Sequence, residues 1–430
     1  MSVGLQRLRE DSEAIRAAAR DKGEDPALVD QALELDAGRR QLLGETDRLR
    51  AERKEISARF GAAMKAGGGA QADELRARSQ EIGAKIDGND ERLRALEARI
   101  EDLLLRIPNP ADPDVPVGDA TATRTIRSWG EPVPHAAEGW VRRPHWEIGE
   151  QLGMLDLPAG AKVTGSGFAV YRGAGAALQR ALINLMLDIH TREHGMIEVW
   201  PPALVNEASA RGTGQIPDKE DQMYVVTRDE LYLVPTAEVP VTNIHRDEII
   251  EADRLPIHYV AYSPCFRREA GAAGTRTRGI LRVHQFDKVE MVAFVRPADS
   301  AAALEQMTGW AEVILQRLGL AYRVQLMATG DMGFTQAKKY DLEVWAPGVQ
   351  EWLEVSSVSN FRDYQARRMA IRWRPTRADK PEILHTLNGS GLALARTVAA
   401  ILEAHQQPDG SVVLPEVLHA AMGTDRLAGG

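Results

Sequence analysis

The feature that most restricts this chain is a seven-residue repeat of apolar side chains near its start. Leu28, Leu35, Leu42, Leu49 and Ile56 are evenly spaced, with Ala32, Thr46 and Phe60 between them, the period that turns one stripe of a helix toward a partner. Asp25 can cap that helix and Pro26 suits its first position, while Arg39 and Arg53 interrupt the stripe. After the run AGGGA at 66–70 the pattern resumes at Leu75, Ile82, Ile86, Leu93, Leu96, Ile100, Leu103 and Ile107, with Ser79 and Asn89 in its polar gaps. Matched stripes joined by glycines predict an antiparallel coiled-coil hairpin over about 27–106. At 1.5 Å per residue its helices run on the order of 50–60 Å, long enough that the hairpin must project from whatever body carries it.

The hairpin pattern stops at IPNPADPDVPVG (107–118), where closely spaced prolines remove amide donors and force extended backbone. The domain boundary is expected there, giving an N-terminal domain of residues 1–110 and a second of 111–430. Beyond it, helical stretches such as AALQRALINLMLDIHTREHG mix with β-rich ones such as QMYVVT, ELYLVPT and VEMVAFV. That order does not suit a βαβ repeat and predicts an α+β body, an antiparallel sheet with helices packed around it. No Walker or Rossmann glycine fingerprint occurs, so a nucleotide would be held without a P-loop.

No run of about twenty apolar residues appears, and the start, MSVGLQRLREDSEAIR, lacks the apolar stretch of a signal peptide. A soluble, cytoplasmic chain with no membrane contact is expected. Cys265 is the only cysteine, which excludes a disulfide framework and a zinc site built from several thiolates. A formal charge of -9 argues against a protein that coats DNA or other nucleic acid through its phosphates. Locally the balance reverses. Toward its turn, helix 1 of the hairpin carries Arg39, Arg40, Arg48, Arg50, Arg53, Lys54, Arg59 and Lys65 against Glu45, Asp47, Glu52 and Glu55. Such a face either meets an RNA backbone or is simply solvated.

In the second domain, FRREAGAAGTRTRGILRVHQFDKVE (266–290) reads as two alternating strands joined by a long loop of small residues. Residues two apart on a strand share a face. Arg267 and Glu269 then point together, as do Arg282, His284, Phe286, Lys288 and Glu290. Arginine forks pair with phosphates, an aromatic ring stacks on a base and a carboxylate accepts from an amine; that set suits a nucleoside triphosphate, or else an exposed ion-paired sheet face. Arg276 and Arg278 lie in the loop with little to pack against, which fits contact with a phosphate backbone. Further on, Glu354 and Ser357 precede Arg367, Arg368, Arg372 and Arg374. Their hard oxygens could share a magnesium ion near phosphate-binding arginines, or be ordinary surface groups. Last, a small-residue turn is expected at Asn388 to Gly391, then a helix that ends before Pro408 and carries Arg396 on its first turns; either the glycines simply allow close helix and sheet packing with Arg396 on the surface, or Arg396 faces the same pocket as Arg267.

Taken together these segments resemble the seryl-tRNA synthetases of the bacterial class II type, along nearly the whole chain. EVWPPALV, FRREAGAAGTRTRGILRVHQFDKVE and LNGSGLALART are similar to the three class II motifs, and GTGQIP, VPTAEVPVTN and SSVSNFRDYQARRM to further family segments in the same order. The resemblance implies ATP-dependent ligation of L-serine to serine tRNA through a seryl-adenylate, with selenocysteine tRNA as a second acceptor to test. It implies that Arg267 binds the α-phosphate of ATP beside Arg268 and Val283, that Glu269 lies near the adenine amino group, that Phe286 stacks on adenine and that Arg396 reaches the γ-phosphate end. Glu354 and Ser357 would contact ATP and Mg2+. Thr236, Ala237 and Glu238 would hold the serine amino group, and Glu290, Asn388 and Ser390 would surround its side chain, with Arg267 also near serine.

The same resemblance implies that the hairpin grips serine tRNA through Arg39, Arg40, Arg48, Arg50, Arg53 and Lys54. Arg276 and Arg278 would meet the acceptor end, and a homodimer would form around Trp200 to Pro202. His284 and Cys265 need be neither base nor nucleophile. Three positions depart from the family pattern: Val358 replaces a common cysteine, Ala395 a common glycine, and IPDKEDQMY follows GTGQ where an aromatic is common. A specialised second-copy synthetase would carry nearly the same sequence; a non-catalytic RNA-binding relative should have lost pocket residues, yet Arg267, Glu269, Phe286, Glu290, Glu354 and Arg396 are all present.

Overall fold

The computed structural model describes residues 3–137, 139–270 and 278–429. Two compact units divide the chain, Met1–Pro108 and Asn109–Gly430.

In the first unit, short helices α1 (Leu5–Glu10) and α2 (Ser12–Asp21) precede two long ones, α3 (Ala27–Lys65) and α4 (Ala70–Arg106). Asp25 Oδ1 accepts from the Ala27 amide at 2.9 Å, so the expected cap forms. The reversal between α3 and α4 runs through Gly67, Gly68 and Gly69 at φ 112°, 72° and 93°, backbone that a side chain would strain. Leu42, Ile56, Leu75, Ile82, Ile86, Leu93 and Ile100 are buried along the hairpin, as the heptads require. The stripe slips near its base: Leu28 and Leu35 are only half-buried, whereas Val29 and Asp36 are buried. Helices α1 and α2 pack on that end and replace the hairpin's own seam. Asp36 is 0% exposed and takes ion pairs from Arg9 at 2.7 Å, Arg39 at 3.1 Å and Arg40 at 3.2 Å. Burial favours the neutral acid, but these arginines hold its carboxyl below the ordinary value.

The second unit is built on an eight-stranded sheet. Its strands are β1 (Arg124–Trp129), β2 (Ile197–Glu198), β3 (Ile257–Phe266), β4 (Gln285–Val295), β5 (Tyr322–Leu326), β6 (Lys338–Ala346), β7 (Glu351–Arg362) and β8 (His385–Ala393). They lie in the order β1-β5-β6-β7-β8-β4-β3-β2. Every pairing is antiparallel except that of β3 with the edge strand β2. The surrounding helices are α5 (His145–Gln151), α6 (Ala174–Asp188), α7 (Glu238–Thr242), α8 (Ser300–Arg317), α9 (Tyr364–Arg368) and α10 (Leu394–Ala404). In α6, Leu178, Leu182 and Met186 recur every four residues and are all fully buried. The α+β body expected from the order of elements is thus the one observed.

Two local expectations fail. FRRE is not a strand, since β3 stops at Phe266; Arg267 to Glu269 continue as loop, with Glu269 in the left-handed region at φ 49°. Nor do Asn388 to Gly391 form a turn. They are the middle of β8, where small residues allow close packing: a Cβ at Gly389 would meet Val358 at 3.0 Å and one at Gly391 would lie 2.3 Å from His190 Nε2.

Candidate active site

Strands β4, β6, β7 and β8 and the start of α7 enclose a cavity of about 430 Å³, within the range of small-ligand sites. One end is made by Thr236, Glu238, Glu290, Asn388 and Ser390, each at most 8% exposed. Asn388 Nδ2 donates to Glu238 Oε2 and to Glu290 Oε1, both at 2.9 Å. Gln365 Nε2 donates to Glu238 Oε1 at 2.6 Å, and Ser390 Oγ to Glu290 Oε2 at 3.4 Å. Glu290 is further paired with the buried ammonium of Lys288. Among the described residues Glu238 has no such cation in contact. Burial, and after it the charge of Glu290, push its carboxyl up to about 7. An unneutralised buried carboxylate beside a polar lining suits a small ligand with an amine and a hydrogen-bonding side chain.

The other end is cationic and aromatic. Arg267, Glu269, Val283, Phe286 and Arg396 line it with Leu281 and Arg282. The Arg267 guanidinium lies 5.1 Å from the Phe286 ring centre, so a planar ligand would stack on the other ring face. Glu269 pairs with Arg282 at 2.5 Å. Arg396 donates from Nε to the Leu281 carbonyl at 3.1 Å and from a terminal nitrogen to the Glu354 carbonyl at 2.8 Å. That leaves further guanidinium hydrogens for an anion.

Glu354 and Ser357 are three apart on β7, a spacing that on a regular strand puts them on opposite faces. The register shifts between them: Ser356 opposes Leu342 but Glu354 opposes Glu343, so the extra residue Val355 is a bulge, and both side chains line the cavity. Ser357 sits across from Asp341, whose buried Oδ1 has no hydrogen-bond partner among the described residues. Lys339 pairs with Asp341 at 3.0 Å. Enclosure favours the neutral form of Glu354, but Arg396 and then Lys339 hold it below its ordinary value, while burial raises Asp341. The carboxylates of Glu354 and Asp341, the latter with its orphaned oxygen, and the Ser357 hydroxyl form an all-oxygen donor set of the kind a hard divalent cation takes.

Most of the expected residues therefore converge, and a few do not. Ala237 is fully buried behind the cavity. Arg268 is exposed and donates to the Asp221 carbonyl at 2.8 Å. Arg367, Arg368, Arg372 and Arg374 lie outside the lining; the cations beside Glu354 are Arg396 and Lys339. Arg276 falls outside the described residues. Arg278 is exposed, yet it does have something to pack against, its guanidinium standing 4.8 Å over Trp146. On the hairpin, Arg39 and Arg40 hold Asp36 and Arg50 pairs with Asp90 at 2.9 Å, whereas Arg48, Arg53 and Lys54 are exposed. Of the two substituted family positions, Val358 is fully buried on the face away from the cavity, and Ala395 lines it.

Sequence reasoning assigned nothing to Asp341, Lys339, Gln365 or Lys219, which line or brace the cavity. Lys219 is the lysine of IPDKEDQMY; its ammonium has no ion-pair partner among the described residues, and its segment is tied to the end of β3 by Arg268 N donating to the Gln222 carbonyl at 2.9 Å. Burial raises the Cys265 thiol above its ordinary value, in keeping with a packing residue.

Comparison with known proteins gives the family. Residues 4–111 match the Seryl-tRNA synthetase N-terminal domain and residues 224–405 the tRNA synthetase class II core domain (G, H, P, S and T). A serine--tRNA ligase of Gemmatimonas aurantiaca is 50% identical over 428 residues, 99% of each chain, and one of Geobacter sulfurreducens is 50% identical over 97% of each. Among solved structures, the seryl-tRNA synthetase of Pyrococcus horikoshii complexed with ATP superposes with a TM-score of 0.94 at 38% identity, covering 99% of both chains. With this identity sustained from end to end, and with both of the family's domains matched in order, the chain belongs to the seryl-tRNA synthetase family.

Proposed function

We propose that this protein is a serine--tRNA ligase that activates L-serine with ATP and transfers it to serine tRNA. The observation that carries the reading is the buried set Glu238–Asn388–Glu290 opening into the same cavity as Arg267, Phe286 and Arg396. The serine ammonium meets Glu238 and Thr236, and its hydroxyl meets Glu290 and Ser390. Alanine would leave those buried polar groups unpaired, a mismatch that can discriminate by roughly 10⁴ to 10⁵.

In the first step the serine carboxylate attacks the α-phosphorus of ATP in line, a P–O bond forms, and the bond to pyrophosphate breaks. Arg267 and Arg396 stabilise charge on the phosphates, and the pocket walls supply alignment. Magnesium, when bound, would be held by Glu354 and Ser357 with Asp341 beside them, and supplies positive charge to the polyphosphate. In the second step the terminal ribose hydroxyl of tRNA attacks the seryl carbonyl and AMP leaves. The hairpin within residues 1–110 is the tRNA arm, gripping through Arg48, Arg53 and Lys54 above all, since Arg39, Arg40 and Arg50 already hold carboxylates. Exposed apolar side chains at Ile197, Trp200 and Leu204 support a homodimer around Trp200 to Pro202. Among the described residues no helix is long and apolar enough to cross a membrane, and a cytoplasmic place accords with this function.

The test is serine-dependent exchange of pyrophosphate into ATP, followed by charging of total tRNA with each amino acid. Serine alone is expected to support both reactions. A folded protein without exchange would refute the reading.

A further inference from the structure

The proposed reaction gives no part to the buried histidine His145. His145 of α5 and Glu403 of α10 are both 0% exposed. Glu403 Oε1 accepts from the His145 amide at 2.9 Å and its ring Nδ1 at 2.8 Å, while Oε2 accepts from the amides of Gly348 and Val349 at 2.8 and 3.0 Å. On the far side of the ring, the Ile280 amide donates to Nε2 at 3.2 Å. A backbone N–H can only donate, so Nε2 is the bare nitrogen and Nδ1 carries the hydrogen given to Glu403.

These contacts end where the chain returns from the loop between β3 and β4. Gly279 stands at φ 71°, and a Cβ there would lie 2.3 Å from His145 Nε2. The next residue but one, Leu281, offers its carbonyl to Arg396 Nε at 3.1 Å. Arg396 and Glu403 are on the same helix, about two turns apart. The contacts therefore close a ring from α10 through Glu403, His145, Ile280 and Leu281 back to Arg396.

We propose that His145 is a positioning residue for nucleotide binding: it fixes Ile280 and Leu281 against α10, so that Arg396 meets the polyphosphate in one orientation. It touches no reacting atom, and the inference rests on the ATP-dependent reading of the cavity. Two substitutions separate its two hydrogen bonds. His145→Asn keeps a donor for Glu403 and removes the acceptor for Ile280. His145→Gln sets an acceptor near the place of Nε2 and gives up the ring donor.

In serine-dependent exchange, His145→Asn is expected to raise the KM for ATP about tenfold, with the KM for serine within twofold of wild type, and His145→Gln to leave both within about twofold. An ATP KM unchanged in His145→Asn, or equal losses in the two variants, overturns the proposal. Should His145→Asn not fold, Gly279→Ala presses on the same ring from the loop side and must raise the ATP KM instead; an unchanged value overturns the proposal as well. Wild type run alongside keeps the readings apart, because its failure to exchange would refute the ligase reading alone. Hydrogen exchange at the Ile280 amide then still decides: faster in His145→Asn than in His145→Gln supports the positioning, and equal rates overturn it.

Discussion

The carboxylates of Glu238 and Glu290 share one amide, each accepting from Asn388 Nδ2 at 2.9 Å. Only Glu290 has a lysine in contact. The two acids are therefore unequal: Glu290 is neutralised from within the fold, and Glu238 is left to be neutralised by a proton or by a ligand's ammonium.

A pH dependence follows from Glu238, whose carboxyl is pushed up to about 7 without ligand. In the proposed reaction it is ionised Glu238 that takes the ammonium, so kcat/KM for serine in the exchange reaction should rise with pH and level off above about 7. Below that pH, binding should release a proton. Glu238→Gln should remove this dependence and lower kcat/KM by at least about a hundredfold. A wild-type profile flat from pH 5.5 to 8 would contradict the assignment.

Arg267→Ala should abolish adenylation, by about 10³-fold or more, because a cation facing the reacting phosphate acts in a partly enclosed site. Thermal unfolding should move little, since its Nε makes only a long hydrogen bond of 3.4 Å to the Pro235 carbonyl. Single-turnover adenylate formation measures the first effect and calorimetry the second.

Replacing residues 30–100 by a short glycine linker should spare exchange and eliminate charging of serine tRNA. The heptad-packed helices α3 and α4 belong to a unit distinct from the one that contains the cavity. Charging that survives the deletion would exclude the hairpin as the tRNA arm.

Gly391→Ala forces a Cβ to within 2.3 Å of His190 Nε2, next to Ser390 in the end of the cavity proposed to hold serine. Overpacking of this kind costs about 1–3 kcal/mol. Denaturant unfolding should show that loss, and the KM for serine should rise while that for ATP stays near wild type.

Much was legible in advance because it rests on local spacing. The period of Leu28 to Ile56 and its return from Leu75 can form little but a paired helix hairpin, and a run of glycines is what its turn needs, as the φ values of Gly67 to Gly69 bear out. The order of helical and β-rich segments implied the α+β body. Family likeness, carried by short motifs, named residues at both ends of the cavity, Glu238, Glu290, Asn388, Arg267, Phe286 and Arg396 among them.

The rest depended on what lies across from each residue in space. Glu354 and Ser357 reach one cavity because a bulge at Val355 reverses the strand's alternation, and no period in the sequence announces one extra residue. Asn388 to Gly391 read as a turn from their size, yet they are strand because Val358 and His190 crowd them from neighbouring elements. Lys288 neutralises Glu290, and Glu238 stays poised near neutrality, through burial and charge at short range. Sequence by itself determined the hairpin, the fold class and the family. Which carboxylates are paired, which arginine meets which carbonyl and where His145 makes its bonds were decided by tertiary structure, because desolvation and hydrogen bonding act between groups that only the fold brings together.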